Sequence, residues 1–111
     1  MVQQLLREPF ERIDASKAKT ILEEKSAVWV DVREQNEWDQ GRIPGSKLVP
    51  LNTLLMAPRQ YLNGDNIVFY CAHGIRSAVA CEVAAAIGVT KIYNLEGGIV
   101  NWAAQGYPID K

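Results

Sequence analysis

Apolar residues in this chain gather in short, dense runs. Ala27-Val28-Trp29-Val30-Asp31-Val32 is one, Asn66-Ile67-Val68-Phe69-Tyr70 a second, and Lys91-Ile92-Tyr93-Asn94-Leu95 a shorter third. Runs of this kind, rich in β-branched and aromatic residues, predict strands of a parallel sheet covered on both faces. Lys47-Leu48-Val49-Pro50 supplies a fourth strand and Phe10-Glu11-Arg12-Ile13 a fifth, at an edge.

Helical patterns separate these runs. Residues 16–25 are good helix formers behind Asp14 or Ser16 as N-cap. Residues 76–87 are rich in alanine and stop at Gly88, and residues 98–105 stop at Gly106. Glu34 and Glu37 read as the capped start of a further helix. Strand and helix in alternation imply right-handed crossovers. The expected fold is therefore α/β: one domain over 1–111, with 1–8 as a flexible N-terminal segment. Its centre is a mostly parallel sheet of about five strands with helices on both faces. In such folds the site lies beyond the carboxyl ends of the strands, and Cys71 follows the strand that ends at Tyr70.

Composition narrows the class. A chain of 111 residues fits one domain, and one of this size buries roughly 60–70% of its unfolded surface. Twelve Lys and Arg against 13 Asp and Glu leave no cationic excess for a nucleic acid. Two cysteines are too few for a disulfide scaffold and point to a reducing compartment. The N-terminus lacks a basic segment followed by an apolar run, so no signal peptide is read there. No stretch reaches the ~20 apolar residues of a membrane span. The expected location is the cytoplasm, with neither nucleic acid nor membrane as partner.

The chemistry concentrates in Tyr70-Cys71-Ala72-His73-Gly74-Ile75-Arg76-Ser77. A loop of this length between strand and helix can turn several N–H groups towards one point, and the helix start adds positive potential. Gly74 supplies the freedom for the curl. A thiol with pKa near ~8.5 is only a few per cent thiolate at pH 7. Lowering that by ~2 units requires about 2.7 kcal/mol of preference for the anion. A helix terminus gives ~0.3–1 kcal/mol, up to ~2 when partly buried, and each hydrogen bond to a charged acceptor ~1.5–3 kcal/mol. The expectation is a thiolate held mainly by backbone donors, with Arg76 adding positive charge. It requires amides turned towards the thiol and a thiol open to solvent.

Each residue also has a plainer reading. Cys71 could be an inert thiol at a strand end. Cys81, among Ala78, Val79, Ala80, Val83 and Ala84, reads as a small core hydrophobe rather than a resolving thiol. His73, the sole histidine, either tunes the loop and handles a proton or shapes the entrance. Arg76 either binds an anion or supports the loop. Asp31 and Arg33 read as a polar pair bracing the site rather than taking part in chemistry. Trp29, Trp38, Trp102 and Tyr107 read as packing residues. No cofactor is implied: no His/Cys cluster has metal-ligand spacing, and Gly97-Gly98 is a turn into the last helix rather than a phosphate-binding loop.

Four segments together resemble the rhodanese homology domain. They are Val30-Asp31-Val32-Arg33-Glu34 with Glu37-Trp38; Gly41-Arg42-Ile43-Pro44-Gly45-Ser46; the Cys71 loop; and Leu95-Glu96-Gly97-Gly98-Ile99-Val100-Asn101-Trp102 with Gly106-Tyr107-Pro108. The resemblance implies a sulfurtransferase that works through a persulfide on Cys71. Ala72, His73, Gly74, Ile75, Arg76 and Ser77 would form the cradle, with Asp31 and Arg33 behind it. A small donor such as thiosulfate would load the sulfur, and cyanide, a cellular thiol or a protein would accept it. A sulfur-relay or protein-binding module is the alternative. The family's usual His in the second segment is Arg42 here, in what reads as a structural turn. Phosphatases on a related fold have one residue more between loop Cys and Arg than the four found here. The shorter loop suits a single extra sulfur better than a phosphate and disfavours a phosphatase or arsenate reductase.

Overall fold

A computed structural model describes residues 8–111; apart from Glu8, the expected flexible N-terminal segment lies outside them. Among these residues five short strands carry the apolar runs: β1 (Glu11–Ile13), β2 (Val28–Asp31), β3 (Lys47–Leu48), β4 (Ile67–Tyr70) and β5 (Ile92–Leu95). They form one sheet in the order β1-β5-β4-β2-β3, and every pairing is parallel. The edge position expected for β1 is the one observed. Six helices connect the strands: α1 (Ala15–Glu24), α2 (Gln35–Gln40), α3 (Leu51–Met56), α4 (Pro58–Tyr61), α5 (Ile75–Ala86) and α6 (Gly98–Ala104).

The unbroken apolar runs follow from the layering. Successive strand residues face opposite sides, and both sides are covered. Val30, Ile67, Phe69 and Ile92 pack with Leu54 of α3 and Ala80, Cys81 and Ala84 of α5. Trp29, Val68, Tyr70 and Leu95 pack with Ala15, Ala18 and Ile21 of α1 and with Ile99 and Trp102 of α6. Asp14 caps α1, its Oδ1 accepting from Lys17 N at 2.8 Å.

Helices α3 and α4 go beyond what the sequence pattern predicts. Each has six residues or fewer, too short for a 3.6-residue period to register. Buried Leu54 ties α3 down, and Pro58 opens α4 where a missing N–H has no cost. Strand β3 is shorter than expected. Its pairing nonetheless runs on, with Val49 N donating to Asp31 O at 2.9 Å and Leu51 N to Val32 O at 3.0 Å. The outcome that positions the site is the strand order. β4 lies between β2 and β5, so the loop after Tyr70 is flanked by Asp31 and Arg33 on one side and by Asn94 and Glu96 on the other.

Candidate active site

The loop after β4 curls around its own sulfur. Cys71 Sγ accepts from Gly74 N at 3.1 Å and from Ser77 N at 3.4 Å, and shares a hydrogen with Ser77 Oγ at 3.4 Å. Gly74 adopts φ +99° directly before α5. A Cβ there would press on Leu95 O and Gly97 N at 3.3 and 3.4 Å, so glycine suits both the curl and the close approach.

These contacts hold the thiol acidic. Burial pushes the Cys71 pKa up. The Ser77 hydroxyl and the Ser77, Gly74 and His73 amides outweigh that effect and bring it below the usual thiol value. The amides point inward as expected, but the largest single favourable contribution is a side-chain hydroxyl, which the sequence reasoning did not single out. The other requirement is not met in this conformation: Cys71 is 1% exposed. The loop wraps the sulfur so closely that a reagent needs the rim to move.

Arg76 is held from outside the loop. Its Nη1 and Nη2 donate to the two carboxylate oxygens of Glu37 at 2.8 and 2.9 Å. That fork holds the Glu37 carboxyl down to about 2, against the burial that would raise it. Glu37 also accepts from Glu34 N at 3.0 Å, so the capped helix start read from sequence is present and has a second task. The Arg76 cation faces the Cys71 sulfur as well, a weaker influence on it than Glu37.

Asp31 and Arg33 form a buried pair behind this arrangement. Arg33 Nε donates to both Asp31 oxygens at 3.0 Å, and its Nη2 to Asp31 Oδ2 at 2.6 Å and Gly41 O at 2.8 Å. Arg33 Nη1 reaches Glu37 O at 3.3 Å. Arg33, held by Asp31, thus grips α2 through the carbonyls of Glu37 and the C-cap Gly41, the Glu37 side chain grips Arg76, and neither Asp31 nor Arg33 bonds to the Cys71 sulfur. Of the remaining loop residues, His73 is exposed, Ala72 half-buried, and Ile75 points outward at 77% exposure.

The far wall comes from the β5–α6 turn. Ile99 N donates to Cys71 O at 2.9 Å and Val100 N to Ala72 O at 3.2 Å. Gly98 sits so close that an added Cβ would lie 2.2 Å from Ala72 O. The Gly97-Gly98 turn is therefore also a wall of the site, a role spacing alone does not reveal. Asn94, at the end of β5, donates from Nδ2 to Gly74 O at 3.1 Å. Arg42 turns away from the loop: its Nη1 donates to Trp38 O at 3.1 Å, while Ile43 N and Ser46 Oγ engage Tyr70 Oη. Cys81 is buried and its pKa is pushed up by that burial. No group of three or more His, Cys, Asp or Glu able to hold a metal occurs among the described residues.

A parallel α/β sheet with a cysteine cradled at the carboxyl end of its central strand defines a class, and comparison with known proteins agrees. Residues 14–105 match the family model of the rhodanese-like domain, and the chain belongs to that family. A sulfurtransferase of Allochromatium vinosum is 31% identical over 85% of this chain and 88% of its own length. The crystal structure of a rhodanese-related protein from Thermoplasma volcanium matches with a TM-score of 0.80 at 32% identity, over 91% of this chain and 98% of that one. A Rhodopseudomonas palustris protein of unknown function, described as a possible tyrosine phosphatase, also scores 0.80, at 29% identity over 91% and 85% of the two chains.

Proposed function

We propose that this chain is a rhodanese-type sulfurtransferase working through a persulfide on Cys71. The observation that carries the reading is the convergence of Gly74 N, Ser77 N and Ser77 Oγ on one sulfur. A thiolate is the nucleophile, and these donors favour it. The Cys71 thiolate attacks the sulfane sulfur of a donor such as thiosulfate. A new S–S bond forms, the old one breaks, and sulfite leaves with the electron pair. The negative charge then lies one atom further out, on the terminal sulfur. An acceptor nucleophile, cyanide or a thiolate, attacks that sulfur and Cys71 departs as the thiolate. No net oxidant is needed.

Ala72, His73, Gly74, Ile75, Arg76 and Ser77 form the cradle in this reading, and Asp31 and Arg33 brace it through α2. Because both Arg76 Nη groups are engaged by Glu37, binding of thiosulfate by Arg76 would require the fork to be shared or released. The four-residue spacing from Cys71 to Arg76 supports sulfur over phosphoryl transfer. Among the described residues no helix is long and apolar enough to cross a membrane. The two free cysteines suit a reducing compartment, and we place the protein in the cytoplasm.

Intact mass measurement after incubation with thiosulfate tests the reading. The wild type gains one sulfur atom and Cys71→Ser gains none. A gain retained by Cys71→Ser overturns the assignment, and turnover of p-nitrophenyl phosphate without thiosulfate:cyanide transfer overturns the reaction class. A second reading, a relay between proteins, is favoured by the exposed apolar side chains of Ile75, Val79 and Val100 around the loop. It keeps the same persulfide and differs in using protein thiols as donor or acceptor.

A further inference from the structure

Asn94 is wholly buried on β5, beside Phe69 in the ladder. Besides its bond to Gly74 O, Nδ2 donates to Glu96 Oε2 at 2.7 Å. Both partners are acceptors, so the orientation of the amide is forced. Its Oδ1 is then left buried without a partner among the described residues. An orphaned buried acceptor is destabilising, and an apolar residue of similar size would avoid it. A local rule broken in the core marks a position whose side chain serves something else.

That service can be read from Gly74, which is held from both sides. Its N–H donates to Cys71 Sγ at 3.1 Å, and its C=O is taken by Asn94. At φ +99° and with no side chain of its own, Gly74 has little else to stop its peptide planes from turning. We propose that Asn94 is a positioning residue for Cys71: by holding the Gly74 carbonyl it keeps the Gly74 N–H aimed at the sulfur. Glu96 steadies the amide in turn and is itself held by Arg12 Nη1 at 2.8 Å. A line of hydrogen bonds thus runs from a surface ion pair to the reactive atom. The proposal rests on the sulfurtransferase reading of the same loop.

The charged groups around the loop are the Arg76–Glu37 pair, the Arg33–Asp31 pair behind it, the exposed His73 and the Glu96–Arg12 pair. Asn94→Leu adds and removes no charge, so a change in thiol acidity reports the lost hydrogen bonds of the Asn94 amide. The measurement is the pH dependence of Cys71 alkylation. One hydrogen bond to an anion corresponds to about tenfold in thiolate population, so the midpoint should rise by about one pH unit in Asn94→Leu. Its melting temperature should change little or fall modestly, because the variant removes the orphaned Asn94 Oδ1 but leaves Gly74 O without its donor. A residue serving only the fold would leave the midpoint in place. Asn94→Ala, which likewise removes the amide and changes no charge, provides a second arm should Asn94→Leu fail to fold, with the same upward shift expected. An unchanged midpoint in a folded variant overturns the positioning role. If the wild type gains no sulfur from thiosulfate, the sulfurtransferase reading falls instead, whatever Asn94 does.

Discussion

Ser77 contributes twice to the Cys71 sulfur, through its amide and its hydroxyl. Ser77→Ala removes only the hydroxyl, so the alkylation midpoint should rise by up to about one pH unit while the amide cradle persists. Glu37 gives a prediction of opposite chemical sense. Its carboxyl titrates lower in the folded protein, at about 2, than the ~4.3 of a free glutamate. Such a group stabilises the fold above the free value and loses that contribution as pH falls through the folded one. The stability gap between wild type and Glu37→Gln should therefore be full near pH 6 and close between about pH 4 and 2, as read by urea denaturation across pH. The loop residues were legible in the sequence because they are contiguous. The Glu37–Arg76 fork spans 39 positions and the Asn94–Gly74 bond 20, and no local pattern links such pairs. Only the parallel register brings them together.

Elements impose their own constraints. The first turn of α6 abuts the carbonyls of Cys71 and Ala72, with Gly98 at φ +60° in the gap. Gly98→Ala meets both a left-handed backbone and a steric conflict with main chain. It should lower stability by about 1–3 kcal/mol and impair sulfur loading, because the loop must shift to make room. A lower urea midpoint with an unchanged slope, alongside reduced mass gain from thiosulfate, checks this. The Glu37–Arg76 fork ties α2 to the loop, so its effect on access can be tested. Glu37→Gln loosens a partly exposed pair worth about 0.2–1 kcal/mol. If that pair limits opening of the rim, alkylation of Cys71 at saturating pH should accelerate by up to about fivefold. An unchanged plateau rate would assign opening to another part of the loop. The main strands and three of the helices were readable because each run exceeds one period of its element, and α2 from its capping pair Glu34 and Glu37. α3 and α4 were not, since contacts with the core rather than periodicity define them.

At the scale of the whole molecule, both faces of the sheet must stay covered. Trp102 is the largest fully buried side chain and stacks edge-on with Trp29 and Tyr107. Its Nε1 donates to Pro108 O at 2.7 Å, pinning the C-terminal segment. Trp102→Ala should cost about 3–5 kcal/mol, a large share of the ~5–15 kcal/mol that typical domains possess. The variant should melt at a markedly lower temperature than the wild type by circular dichroism. The all-parallel order also explains why the site could be located from strand ends alone, although its walls could not. Cys71 follows the central strand, whereas the walls are supplied by α2 and by the β5–α6 turn.

Cys81 carries a last consequence. Sealed in the core, its sulfur donates to Tyr93 O at 3.6 Å and stays protonated, so it is a poor nucleophile. On the proposed sulfurtransferase reading, a cargo atom parked on Cys71 would find no second thiolate among the described residues to act as a relief valve. Its residence time would then be set by the arrival of a molecule from outside, and with none available the protein would act as a reservoir rather than a conduit.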